Sequence, residues 1–166
     1  MIITLIGMPG SGKSCMGRAV APKVNMKNID ADTEIEKRYN KKLQDIINTE
    51  GLDAFKKIEE DVLLTLNRDN TIISTGGSAV YYEKAMEHLK GIGKVVYLKV
   101  SLAVLKERLG DFSRRGIAMK PGQTIEDLYN ERCALYEKYA DKTINCNGSA
   151  YQSYHKQLID YINQLK

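Results

Sequence analysis

"IITLIGMPGSGKSC", residues 2–15, runs from five apolar residues straight into a glycine-rich loop, and its reading decides the fold. Gly7, Gly12, Lys13 and Ser14 satisfy the pattern G-x-x-x-x-G-K-[ST]. The spacing has a physical purpose. Glycines let successive backbone N–H groups converge on phosphate oxygens, and the helix that follows turns its positive N-terminal end toward the same anion. The lysine then reaches the β- and γ-phosphates, and the serine hydroxyl binds Mg²⁺. With glycine at about 7% of residues, chance produces such a match in roughly one chain of this size in a hundred or fewer. A flexible Gly/Ser turn with a solvated lysine is therefore a poor explanation. Gly10, Ser11, Gly12, Lys13, Ser14 and Cys15 are assigned to a nucleoside triphosphate.

Outward from this loop, short apolar runs recur at 27–30, 71–75, 94–100 and 142–146. Near-continuous apolar character is the mark of strands buried on both faces of a parallel sheet. Between them, apolar spacings of three and four predict helices over 13–21, 33–39, 43–49, 52–67, 83–91, 102–109, 124–139 and 151–165. The clearest is "AFKKIEEDVLLTL", with Phe55, Ile58, Val62 and Leu66 on one stripe. Helices between parallel strands imply right-handed crossovers, so the expected fold class is α/β: a doubly wound, five-stranded parallel sheet flanked by helices. Neither a repeat nor a low-complexity linker interrupts the chain, and residues 1–166 are expected to form one domain. The least regular stretch, "GDFSRRGIAMKPGQ" at 110–123, reads as a mobile loop.

Composition narrows the classes. A chain of 166 residues buries roughly 70% of the surface it exposes when unfolded, enough for a core without staples. The formal charge of +4 is dispersed, with no basic stripe to follow a nucleic acid, so the expected partners are small anionic molecules. Cys15, Cys133 and Cys146 show no CxxC or metal-ligand spacing and read as reduced thiols of a cytoplasmic protein. "MIITLIG" lacks a basic flank and is too short for a signal segment, and no later run approaches a membrane span. His88 and His155 lack ligand or triad spacing and are expected at the surface. Tyr136 and Tyr139 are expected in the core.

Two further clusters fall at the carboxyl ends of predicted strands, where open α/β sheets collect ligands. "NIDADTEIEKR" places Asp30 and Asp32 two apart at the end of the second strand. In extended chain they point to one side and can divide metal and hydroxyl between them. Thr33-x-x-Glu36 reads as a capping box, which explains Thr33 and Glu36 but not the two aspartates. "IISTGGSAV" ends the third strand in Gly76 and Gly77, which permit close approach of a ligand to backbone.

In this order, "GMPGSGKS", "IDADTEIEKR", "EGLDAFKKIEEDVL", "ISTGGSAV", "VVYLKV", the arginine-bearing 110–123 segment and "NERCALYEKYAD" resemble the shikimate kinase family over nearly the whole length. These are small kinases with the P-loop nucleoside triphosphate fold that phosphorylate a ring hydroxyl with ATP and Mg²⁺. The resemblance implies a metal role for Asp30 beside Ser14, and a hydroxyl-side role for Asp32. It implies substrate contacts at Gly76 and Gly77, a carboxylate-binding role for Arg132, a lid role for Arg115 and an adenine-side role for Arg108. It also marks about 33–60 as substrate-binding helices and 110–123 as the lid.

The chain departs from the family at several of these places. Lys56 stands where the family has arginine, keeping positive charge without the planar two-pronged contact. It also makes an ordinary surface pattern with the acidic residues of its helix. Ser78 replaces the third glycine, Cys15 a common threonine, and the lid sequence differs. The implied reaction is ATP-dependent phosphorylation of a small hydroxy acid, shikimate to 3-phosphoshikimate, by an enzyme expected to be a monomer, with Lys13, Asp32 and Arg115 catalytic and Arg132 with Lys56 holding the carboxylate. Two alternatives stay open at this point. One is a kinase of the same fold acting on another small hydroxy acid or polyol; the other is a nucleotide-binding regulatory module without turnover.

Overall fold

In the computed structural model of the chain, which describes residues 1–110, 117 and 119–166, five strands form one parallel sheet. They are β1 (Ile2–Ile6), β2 (Lys27–Asp30), β3 (Thr71–Ser74), β4 (Lys94–Lys99) and β5 (Lys142–Asn145), in the order β2-β3-β1-β4-β5. The doubly wound α/β expectation holds. All of β1 and β3 is buried, as near-continuous apolar strands in mid-sheet require. The outer strands differ: three of four residues in β5 and the first two in β2 are exposed. "KNID" and "KTIN" are polar because each strand lies at an edge with one neighbour.

The helices are α1 (Lys13–Val20), α2 (Ala31–Tyr39), α3 (Leu43–Glu50), α4 (Leu52–Thr65), α5 (Glu83–Ile92), α6 (Leu102–Leu109), α7 (Ile125–Tyr139) and α8 (Tyr151–Leu165). Two short 3₁₀ turns, Ala21–Val24 and Ala79–Tyr81, fill out the connections. The large core packs sheet against α1, α5, α7 and α8. A second, smaller core joins α2, α3 and α4 through Ile35, Ile46, Phe55, Ile58 and Val62. The stripe read from the sequence therefore divides: Phe55, Ile58 and Val62 serve the small core, and Leu66 the large one. Among the described residues no helix is long and apolar enough to cross a membrane.

Register brings the ligand-facing ends level. Leu5 and Asp30 both pair with Ser74, so the loop after β1, the start of α2 and the Gly76-Gly77 turn leave the sheet together. β1 neighbours β3 on one side and β4 on the other, which makes the edge beyond β1 a topological switch point. Two hydroxyls fix this edge. Ser74 donates to the Lys13 carbonyl at 3.1 Å, and Thr75 to the Leu5 carbonyl at 2.9 Å.

One helix start differs from the sequence expectation. α2 begins at Ala31 with Asp30 as its N-cap, whose Oδ1 accepts the Thr33 N–H at 3.2 Å. Thr33 is thus the third helical residue and forms no capping box with Glu36. Asp32 is also helical, so the two aspartates are not spaced along extended chain. An aspartate at the end of β2 caps well because its carboxylate meets the orphan N–H groups and the positive helix end.

Candidate active site

The nucleotide loop is a tight backbone cradle. Gly10 and Gly12 take φ of +79° and +95°, a region that side chains rarely enter, and a Cβ on Gly10 would also lie 2.8 Å from Leu109. The Ser11 N–H bonds the Met8 carbonyl at 3.1 Å, closing the turn that leads into α1. The first N–H groups of that helix have no partner within it and point into the cleft end of the loop. Lys13 is buried, with its ammonium donating to the carbonyls of Gly7 at 2.8 Å and Met8 at 2.9 Å. Burial lowers its pKa to about 8, against the raising effect of Asp32; Arg132 lowers it further.

Ser14 donates its hydroxyl to Asp30 Oδ2. A hydroxyl and a carboxylate in contact are hard oxygen donors, the set that suits Mg²⁺ when phosphates and water complete the shell. Among the described residues there is no group of three or more His, Cys, Asp or Glu that could hold a metal ion by itself. The donor pair fits an ion that arrives with a nucleotide.

A cleft of about 490 Å³ opens from this loop and runs to both sides. Toward β3 its floor is Gly76-Gly77, and the two glycines have opposite electrical surroundings. A Cβ on Gly76 would lie 2.6 Å from Glu59 Oε2 and 2.9 Å from Asp32 Oδ1. A Cβ on Gly77 would lie 2.8 Å from Arg132 Nη1. Carboxylates thus border one glycine and a guanidinium the next. Asp32 Oδ1 is buried with no hydrogen-bond partner among the described residues. Burial raises the Asp32 carboxyl to about 7, with Glu59 and Asp30 adding to the rise and Lys13 opposing it.

Glu59 was absent from the sequence expectation although it carried a signal. It falls between Phe55 and Val62 on the buried stripe of α4, where a charge has no structural reason to be. It is only 2% exposed, and its Oε1 accepts hydroxyl hydrogen bonds from Ser78 and, at 2.5 Å, from Tyr82. Tyr136 was expected only to pack. Its ring does stack on Tyr97, with centroids 5.1 Å apart, and its hydroxyl also donates to the Gly77 carbonyl at 2.5 Å, holding the floor.

Arg132 is buried at 1% exposure on the inner face of α7 and lines the cleft. Lys56 is half-buried on α4 and is not among the cleft-lining residues. On the far side, Arg108 donates to the carbonyls of Gly10, Cys146 and Gly148 at 3.2, 2.8 and 3.1 Å, tying α6 to the nucleotide loop and the β5–α8 turn. Tyr151, Tyr154 and His155 also line this end, at the start of α8. His155 therefore faces the cleft, whereas the surface was expected. Cys15 lines the cleft as well and is exposed. Arg115, the lid arginine of the sequence reading, lies outside the described residues, as does most of 110–118.

Comparison with known proteins agrees with this geometry. Residues 9–163 match the family model for shikimate kinase. The shikimate kinase of Pasteurella multocida (strain Pm70) is 35% identical, over 98% of this chain and 95% of its own. That of Clostridium botulinum (strain 657 / Type Ba4) is 38% identical over 91% and 90%. Among solved structures, shikimate kinase from Acinetobacter baumannii in complex with shikimate superposes with a TM-score of 0.89 at 31% identity, covering 99% of this chain and 94% of its own. With the family model spanning nearly the whole sequence, this chain belongs to the shikimate kinase family.

Proposed function

We propose that the protein transfers the γ-phosphoryl group of ATP to a ring hydroxyl of shikimate, giving 3-phosphoshikimate. One observation carries the choice of acceptor: the Gly76-Gly77 floor, with carboxylates beside the first glycine and a buried arginine beside the second. An acceptor that carries hydroxyls at one end and a carboxylate at the other matches that polarity, and the floor opens into the same cleft as the nucleotide loop. The Acinetobacter relative, solved with shikimate bound, supports this reading.

Phosphoryl transfer requires positioning and charge neutralisation more than covalent help. Lys13 exchanges the Gly7 and Met8 carbonyls for oxygens of the β- and γ-phosphates, and the N–H groups of residues 10–15 cradle the chain of phosphates. Ser14 and Asp30 hold Mg²⁺, which supplies neutralisation of phosphate charge when it is bound. Asp32 accepts the proton of the attacking hydroxyl at its unpartnered Oδ1. Arg132 pairs with the acceptor carboxylate, and Arg108 braces the base side. Arg115, from the 110–123 lid, adds positive charge to the transferred group. Lys56 contributes charge from outside the wall of the cleft rather than a contact. The chain works as one kinase unit, as a monomer in the cytoplasm, since a single copy supplies every role named.

An ADP-release assay with shikimate beside quinate, gluconate and homoserine tests the proposal. Turnover confined to shikimate is expected. Comparable or faster turnover of another acceptor would reassign the substrate, and ATP binding without turnover of any acceptor would make the protein a nucleotide-binding module.

A further inference from the structure

Three side chains in the stretch Ser78–Tyr82 touch the two buried charges of the acceptor pocket, yet the reaction as assigned above uses none of them. Ser78 and Tyr82 both donate to Oε1 of Glu59, leaving Oε2 turned toward Gly76. Tyr81, the residue between, faces the other charge. The Arg132 guanidinium carbon lies 5.2 Å from the Tyr81 ring centroid, and its Nε donates to the Tyr81 hydroxyl at 3.4 Å. The backbone explains how neighbours serve opposite charges. Tyr81 closes the 3₁₀ turn Ala79–Tyr81, while Tyr82 is extended at φ −98°, ψ 91° before α5, so their side chains diverge.

We propose that Ser78, Tyr81 and Tyr82 are positioning residues of the acceptor pocket: the first and third fix the Glu59 carboxylate beside Gly76, and Tyr81 fixes the Arg132 guanidinium beside Gly77. A carboxylate and a guanidinium a short way apart in a buried site attract one another directly, which would use up the guanidinium needed for the acceptor. Hydroxyl donors on Glu59 and an aromatic face beside Arg132 give each charge its own contact from this stretch and help hold both toward the ligand. The arrangement belongs to this chain's departures. Ser78 takes the place of a third glycine, and Lys56 does not line the cleft, so hydroxyls rather than a neighbouring cation on α4 hold Glu59. Other charges facing Glu59 are Asp32 from α2, Lys13 from α1 and Arg132 from α7. Burial pushes its carboxyl pKa up, and the two hydroxyls pull it back down.

The proposal rests on shikimate as acceptor for its kinetic test and is independent of it for its spectroscopic one. In steady-state assays, Tyr82→Phe and Ser78→Ala are expected to raise KM for shikimate about tenfold, the loss of one hydrogen bond to a charged group. kcat and KM for ATP are expected to stay within about twofold of wild type, a split that general loosening of the fold would not give. In a Glu59→Gln background, Tyr82→Phe is expected to add less than about twofold, because both changes act through one carboxylate. Tyr81→Phe, which keeps the ring, is expected to raise KM less than Tyr81→Leu. Unchanged KM for shikimate in both Tyr82→Phe and Ser78→Ala overturns the proposal. In the ligand-free protein, ¹³C NMR of the Glu59 carboxyl is expected to titrate at higher pH in Tyr82→Phe than in wild type; an unmoved midpoint also overturns it. A wild type that turns over another acceptor instead fails the substrate assignment alone, and the NMR midpoint then decides the positioning claim.

Discussion

Replacing Asp32 with asparagine should make the protein more stable and inactive at once, and the size of the gain follows from the pocket. Burial and the neighbouring Glu59 and Asp30 raise the Asp32 carboxyl from its ordinary 3.8 to about 7. At about 1.4 kcal/mol per pH unit, holding this group as a carboxylate costs the native state about 4 kcal/mol above pH 7. The side chain is partly exposed, and water screens some of this, leaving about 2–4 kcal/mol. The folded-state pKa lies above the unfolded one, so between pH 3.8 and 7 the native state binds more protons than the unfolded chain. Stability from this group is complete below about pH 4 and is lost as pH rises through about 7.

Asparagine keeps the shape and never ionises. Urea unfolding of both proteins at pH 5, 6, 7 and 8 should therefore show an Asp32→Asn advantage that is less than half its full size at pH 5, grows to pH 7 and then levels near 2–4 kcal/mol. Over the same range kcat should fall by about 10²–10⁴, the usual loss of a general base, with KM for ATP little changed. An advantage independent of pH, or a variant less stable than wild type at pH 8, would refute the account of Asp32 as a buried carboxylate whose Oδ1 lacks a partner among the described residues. A large loss of ATP affinity with kcat preserved would refute its acceptor-side role.

Lys13→Ala should abolish ADP release with shikimate while its circular dichroism stays that of wild type, and undiminished turnover would remove the lysine from phosphate binding. The pH profile of kcat/KM should be a narrow bell. Its acid limb reflects deprotonation of Asp32 at about 7, and its alkaline limb reflects loss of the Lys13 proton at about 8. A flat profile between pH 6 and 9 would contradict both assignments. Phe55→Ala, which empties the centre of the small α2–α4 core, should cost about 3–5 kcal/mol in denaturant unfolding. A loss below about 1 kcal/mol would show that this core is not a continuous packed unit.

The loop at 7–15 and the central strands were legible because each rests on local chemistry: glycine torsions, a fixed lysine spacing, apolar runs. "KNID" and "KTIN" were read among the apolar runs, yet they carry the weakest apolar signal of the five, because each is an edge strand with exposed positions. Asp30 and Asp32 were located, but their geometry was not. Which of two alternate acidic residues caps a helix depends on where the strand ends, and the register of β2 against β3 sets that. Lys56 was expected to keep an arginine's charge without its two-pronged contact, yet neighbours on a helix stand about 100° apart, and the cleft is lined by Phe55 and not by Lys56. Tyr82 and Tyr136 were invisible as site residues because their roles depend on contacts across 23 and 59 positions of chain, and His155 reaches the cleft only through the placement of α8.

Glu59 and Arg132 suggest a more general reading of helical stripes. Each occupies an inward position, Glu59 between Phe55 and Val62 on α4 and Arg132 between Leu128 and Tyr136 on α7. Packing alone would place an apolar residue at either site, since a buried charge is costly and an ion pair seldom recovers the whole of that cost. Each is contacted by groups from Ser78–Tyr82. α4 carries the small core and sends Leu63 into the large one, on which α7 stands, with Gly76-Gly77 between the charges the two helices present. The acceptor pocket is therefore built where two well-packed regions each leave one charge on the inside. A charged residue on an otherwise apolar helical stripe is the sequence signal that finds such a place.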